Sequence, residues 1–234
     1  MVVDLDDTLY PQAAYLAGAA AAVGAAATAA GLDGGRVHAA LLRELAAGSD
    51  TGGTIDRALL AAGVPAAEVP ARVPALVAAF TAHAPAVLAP YPGVVAALTA
   101  LAEVGPVGCL TDGNPVIQAA KVAATGLGPL LGGVVVTDAL GGRAARKPAP
   151  AGLLELAGRL GVPADRLLVI GDRPGKDVAV AAAVGARAIR VRQGEHAAAP
   201  DRPAAWAVTD SFPAAADLAL AVLRGTGRRC PAAS

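Results

Sequence analysis

Short runs rich in β-branched residues and leucine, each closed by Gly, Pro or Asp, recur at residues 2–5, 107–110, 134–136, 167–170, 188–191 and 207–208. Runs of this length without polar alternation read as strands buried on both faces. Between most of them lie stretches with apolar residues at helical spacing: 94–101, 116–124, 151–160, 178–184 and 214–223. Strands alternating with helices predict an α/β protein built on a parallel sheet covered on both sides.

One interval breaks the alternation. From Pro11 to Ala89 the chain shows no strand pattern, only Ala- and Leu-rich helical segments near 13–30, 36–46, 55–62 and 67–82. It is left through Ala89-Pro90-Tyr91-Pro92-Gly93, a sequence that cannot continue a helix. The pattern predicts a core of residues 1–12 and 88–234 with an inserted helical cap at 13–87.

Composition narrows the partners. Nineteen basic residues balance nineteen acidic ones, with no run of Lys or Arg, so the basic footprint of a nucleic-acid or anionic-membrane binder is missing. No charge lies between Asp7 and Asp33, a stretch long enough to span a bilayer. It is mostly Ala and Gly, however, and follows three aspartates instead of a basic leader, so it reads as a helix of a water-soluble protein. The two cysteines, Cys109 and Cys230, make no disulfide framework and fit a reducing compartment, so a cytoplasmic location is expected. The chain has 16 Arg but only three lysines, Lys121, Lys147 and Lys176, and that scarcity lends each lysine some weight as a residue kept for its chemistry.

In such a sheet the functional side chains sit at the carboxyl ends of strands. Asp4-Leu5-Asp6-Asp7-Thr8 follows the first run, and Thr111-Asp112-Gly113-Asn114 follows the second. Arg146-Lys147-Pro148 precedes a helix, and Gly171-Asp172-Arg173-Pro174-Gly175-Lys176-Asp177 follows the fourth run. Taken singly, Thr111-Asp112-Gly113-Asn114 reads as a plain turn and Lys147 as a solvated charge at a helix start, whereas the Asp4 segment and Gly171-Asp172 with Asp177 are more specific. Together they place carboxylates from two strand ends around one point, a donor set that suits Mg²⁺ with phosphate as co-ligand. A hydroxyl beside main-chain N–H groups, as at Thr111 and Gly113, holds phosphate oxygens, and a Lys ammonium neutralises charge that develops in transfer. Aspartate can itself be the phosphoryl acceptor. Asp4 and Asp6 are two apart and would share one side of a regular strand.

The order Asp4-x-Asp6-x-Thr8, Thr111, Lys147-Pro148, Gly171-Asp172-x4-Asp177 resembles the haloacid dehalogenase superfamily over about residues 1–195. The resemblance implies a Rossmann-like core with the helical insertion as a mobile cap, and it implies Asp4 as nucleophile, Asp6 as general acid and base, and Lys147 as the catalytic cation. It implies phosphate ligands at Thr111, Asp112, Gly113 and Lys147. Magnesium would be held by Asp4, Asp6 through its backbone carbonyl, and Asp172, with Asp177 in support. Dehalogenases and phosphonate-cleaving members lack an Asp at the place of Asp6. The implied activity is therefore a Mg²⁺-dependent phosphatase acting on a small phosphorylated metabolite through an aspartyl-phosphate. A phosphosugar mutase such as β-phosphoglucomutase keeps the same pair and is the alternative within enzymes; a catalytically silent binding module is the alternative outside them. Asp7-Thr8-Leu9-Tyr10-Pro11 resembles nucleotidase-like members. Only three residues precede Asp4, a first strand shorter than the family pattern that raises the expectation of residues upstream.

The remaining polar residues carry blander expectations. His38, His83 and His196 lack the spacing of a metal site or triad, and three serines give Ser-His-Asp chemistry no support. Arg43, Arg57 and Arg72 read as solvated faces of the insertion, Lys121 as structural, Lys176 as pointing to solvent, Trp206 as a core-edge residue, and the tail from Gly225 as frayed.

Overall fold

The computed structural model describes residues 1–225, so the remainder of the tail, Cys230 included, lies outside the described residues. Six strands form one parallel sheet: β1 (Val2–Val3), β2 (Gly108–Thr111), β3 (Gly133–Val136), β4 (Leu168–Gly171), β5 (Arg187–Val191) and β6 (Ala207–Thr209). Their order across the sheet is β3-β2-β1-β4-β5-β6. The chain builds outward from β1 to β3, then returns to β4 on the other side of β1. A crevice opens where the order reverses, at the carboxyl ends of β1, β2 and β4.

Successive strand residues point to opposite faces, and each face has its own apolar cluster. Val3, Cys109, Ile170 and Ile189 face one cluster; Val2, Leu110, Val169 and Ala188 face the other. The first face is covered by α5 (Val94–Val104), α6 (Pro115–Thr125) and α10 (Phe212–Leu223). The second is covered by α8 (Ala151–Leu160) and α9 (Ala179–Ala183), with the short α7 (Asp138–Gly141) between β3 and α8. β1 has only two residues, yet it is paired on both sides, and the Asp4 N–H extends the pairing to the Ile170 carbonyl at 2.9 Å.

Four helices fill the strandless interval: α1 (Gln12–Ala29), α2 (Gly34–Ala47), α3 (Thr54–Ala61) and α4 (Val69–Ala82). They bury a cluster of their own around Val23, Leu41, Leu59 and Leu76. The uncharged Ala-Gly stretch is α1, and its small residues serve close packing. A Cβ on Gly34 would lie 2.2 Å from the Gly24 carbonyl oxygen, so the two backbones touch only because both residues are glycine. Tyr15 and Ala19 of α1 belong to the core cluster instead, which ties the insertion to the sheet. Pro74 sits inside α4 and costs that helix one N–H donor. Among the described residues no helix is long and apolar enough to cross a membrane.

Candidate active site

Three strand ends and one loop converge on a cleft of about 250 Å³. Asp4 follows β1, Thr111 closes β2, and Asp172 follows β4; Lys147 arrives from the segment before α8. Gly113 lies at the mouth of the cleft ahead of α6. Lys147 is 5% exposed, and its Nζ donates to Asp4 and to Asp177, each at 2.6 Å, and to the Leu110 carbonyl at 3.2 Å. Burial alone would lower the ammonium, but Asp177, Asp4 and Asp112 outweigh it and hold its pKa well above the ordinary lysine value.

Oxygens of Asp4, Asp172 and Asp177 lie within 4.8 Å of one another, and all three side chains are buried. One ammonium cannot neutralise three carboxylates. Burial, with help from Asp177 and Asp6, pushes the Asp4 carboxyl up to about 7 against the pull of Lys147. Burial and the neighbouring Asp177, Asp4 and Asp7 push Asp172 up to about 9. Asp172 Oδ1 is buried without a hydrogen-bond partner. A trio of hard oxygen donors with excess negative charge and an unsatisfied buried oxygen fits a divalent cation. Gly171 makes the trio possible: a Cβ there would fall 2.3 Å from Asp177 Cγ.

Asp6 sits apart from the trio. β1 ends at Val3 and the chain turns, with Asp7 N–H donating to the Tyr10 carbonyl, so the shared-face geometry expected for Asp4 and Asp6 does not arise from a regular strand. Asp4 turns toward Lys147, while Asp6 turns toward α6 and pairs with Lys121 at 2.8 Å. Both still line the same cleft. Burial would raise the Asp6 carboxyl, but Lys121, Tyr10 and Gln118 more than offset it and hold it below the usual value.

Asp112, expected among the phosphate ligands, spends its carboxylate elsewhere. It accepts from the Thr137 hydroxyl at 2.8 Å and the Lys147 N–H at 3.0 Å, and pairs with Lys176 at 3.1 Å. An acceptor-only group cannot hold phosphate oxygens, and its visible effect is to fix the loop that carries Lys147. Two lysine expectations also change. Lys176 does not point to solvent: its side chain is 18% exposed and bridges Asp112 to Asp50 of the helical insertion. Lys121, read as structural, is a buried cation that borders the cleft and pairs with Asp6. The insertion contributes Gln12, Tyr15, Leu16, Ser49, Asp50 and Phe80 to the lining, and none of Arg43, Arg57 and Arg72. His196 reaches the rim, whereas His83 packs on Tyr15. Trp206 lies at the core edge beneath Arg187.

The profile of the haloacid dehalogenase-like hydrolases matches residues 1–185. The chain belongs to that family. The fold is shared with a 2-haloacid dehalogenase from Pseudomonas syringae pv. Tomato DC3000, at 26% identity and a TM-score of 0.63 over 96% of this chain and 97% of the other. A haloacid dehalogenase family hydrolase from Deinococcus radiodurans R1, solved with bound phosphate and sodium, is 26% identical with a TM-score of 0.62, covering 95% of each chain. A predicted phosphoglycolate phosphatase from Haemophilus somnus 129PT shares the fold at 19% identity, with a TM-score of 0.68 over 97% and 96% of the two chains. No curated protein matches the chain. Haloacid dehalogenase-like hydrolases thus include both halide- and phosphate-releasing relatives of this fold, and the distinction must come from side chains.

Proposed function

We propose that this hydrolase cleaves a small phosphate monoester through an aspartyl-phosphate on Asp4. The observation that carries the reading is Asp6, a second carboxylate bordering the same cleft as Asp4. An alkoxide leaving group needs a proton, and a halide does not, so an acid placed beside the nucleophile to protonate the leaving group has work in phosphate-ester cleavage and none in halide release. The carboxylate trio supports the same choice, because its uncompensated charge would repel an anionic substrate unless a cation accompanied it.

Asp4, Asp172 and the Asp6 carbonyl would hold Mg²⁺, with Asp177 behind them; when bound, the ion neutralises phosphoryl oxygens and orients the ester for in-line attack. An Asp4 oxygen attacks phosphorus, the P–O bond to the leaving group breaks, and Asp6 delivers a proton to that oxygen. Lys147 and Thr111 hold the phosphoryl oxygens during transfer. Asp6 then takes a proton from water, which attacks phosphorus and releases phosphate from Asp4. The donors around Asp6 favour its ionised form, the form this second step requires, and the proton it takes from water is the one it delivers to the leaving oxygen in the next turnover. In this reading residues 13–87 act as a cap that closes over the substrate.

A panel of phosphate monoesters and 2-haloacids, assayed with Mg²⁺ and with EDTA, tests the proposal. Phosphate release that needs Mg²⁺, without halide release, is expected; halide release unaffected by EDTA would overturn it.

A further inference from the structure

Asp6 is held from both ends. Its Oδ1 accepts from the Tyr10 hydroxyl at 2.5 Å and from Lys121 at 2.8 Å. Its Oδ2 accepts from Lys121 at 2.9 Å and from Gln118 at 3.0 Å. A carboxylate offers about four lone-pair sites, so these contacts leave it no freedom to rotate. Gln118 and Lys121 are one turn apart on α6, 1% and 4% exposed, although neither residue type is usually buried unless its polar atoms are spoken for. Gln118 also donates to the Thr111 hydroxyl, tying Asp6 to the end of β2. Tyr15 from α1 lays its ring 4.7 Å from the Lys121 ammonium, on the side of the insertion. Two of the three buried polar side chains of α6 therefore meet at one carboxylate, while the third, Thr125, donates to the Val122 carbonyl of its own helix.

We infer that Lys121 and Gln118 are positioning residues for Asp6. Lys121 fixes the carboxylate by charge, and Gln118 sets its orientation against Thr111, so that proton transfer takes place at a fixed distance from Asp4. Neither needs to touch the substrate. The inference deepens the phosphatase reading and rests on it for the role of Asp6. It also separates the two buried lysines of the cleft, since Lys147 pairs with Asp4 and Asp177, while Lys121 pairs with Asp6.

A double-mutant cycle on the full chain with Mg²⁺ tests it, using Lys121→Met, Asp6→Asn and the pair. With an alkyl phosphate, Lys121→Met should lower kcat about 10²-fold, the loss typical of a misplaced reacting group. KM should move little. In the Asp6→Asn background the same change should cost no more than about twofold, because no carboxylate remains to be held. Lys121→Arg should recover part of the loss. Losses that multiply in the double variant would place Lys121 on the substrate itself and overturn the inference, as would a rise in KM at unchanged kcat. Thermal melting supplies a reading without turnover: Lys121→Met should lower the Tm of the wild type and not of Asp6→Asn, and equal drops in both would count against the pairing. If Lys121→Met does not fold, Lys121→Gln replaces it in both cycles. A wild type inactive on every phosphate ester would sink the functional reading alone, and the melting cycle would still decide whether Lys121 acts through Asp6.

Discussion

Replacing Lys147 with arginine keeps the charge and should still cripple the enzyme. The ammonium is a compact point with three donors, and the structure gives it three acceptors, at 2.6, 2.6 and 3.2 Å. A guanidinium is wider and planar, and its fork cannot converge on three oxygens around one point. The side chain is 3% exposed, so the extra atoms have nowhere to go but toward Asp4 or the phosphoryl site. Overpacking of this kind costs about 1–3 kcal/mol of stability. The misplaced donor costs about 3–4 kcal/mol in the transition state, or about 10²–10³ in kcat. The assay is kcat on an aryl phosphate at saturating Mg²⁺, with circular dichroism melting to confirm the fold. Near-wild-type turnover would remove Lys147 from the reaction and refute the reasoning from its acceptors.

Lys176→Arg is the matched control: its two ion pairs, at 3.1 and 3.2 Å, are open enough for a guanidinium to keep both. Its kcat should stay within about fivefold of wild type, the range of a partly exposed pair. Asp6→Ala should lose about 10²–10⁴ in rate, more on an alkyl phosphate than on a nitrophenyl phosphate, whose leaving group departs unprotonated; equal losses would exclude Asp6 as the acid. Gly171→Ala, measured by melting and by Mg²⁺ titration, should weaken metal binding, because its Cβ would displace Asp177. The pH dependence has a definite sign. Asp4 and Asp172 are raised to about 7 and about 9 in the fold, above the ordinary carboxyl value, so their contribution is fully present below the ordinary carboxyl range and is lost progressively as pH rises from there, up to about 7 for Asp4 and about 9 for Asp172. Metal-free protein should therefore lose Tm across that window, and added Mg²⁺, which displaces those protons, should raise Tm more at the alkaline end. An equal or larger Mg²⁺ effect at the acid end would contradict this.

The strands were legible because buried parallel strands show as unbroken apolar runs, and the residues closing those runs led directly to Asp4, Thr111 and Asp172. The helical insertion was legible for the opposite reason, a long interval without such runs. The partners of Asp6 were not. Gln118 and Lys121 occupy positions on α6 where an amphipathic helix places polar residues at its edge, and only the packing of α6 against the sheet shows that these two are buried. The one signal was the scarcity of lysine, which marked Lys121 and Lys176 as well as Lys147 without locating them. The direction of the Asp112 carboxylate was not legible, because sequence distance from Thr111 says nothing of it, and Thr137, which draws it away, is 25 residues further on. Asp50 lies in the glycine-bearing turn between α2 and α3, where no periodicity foretells its contact with Arg173.

The central claim is a phosphoryl group carried on Asp4. Rapid-quench mass spectrometry of Asp6→Asn mixed with an aryl phosphate and Mg²⁺ tests it most directly, since the first step then proceeds without its acid while the second lacks its base. A phosphoryl adduct is expected on the peptide containing Asp4, formed together with a burst of phenolate and absent from an Asp4→Asn, Asp6→Asn double variant. Phosphate release by wild-type protein, with no adduct at Asp4 in the quenched variant and turnover retained in Asp4→Asn, would contradict it.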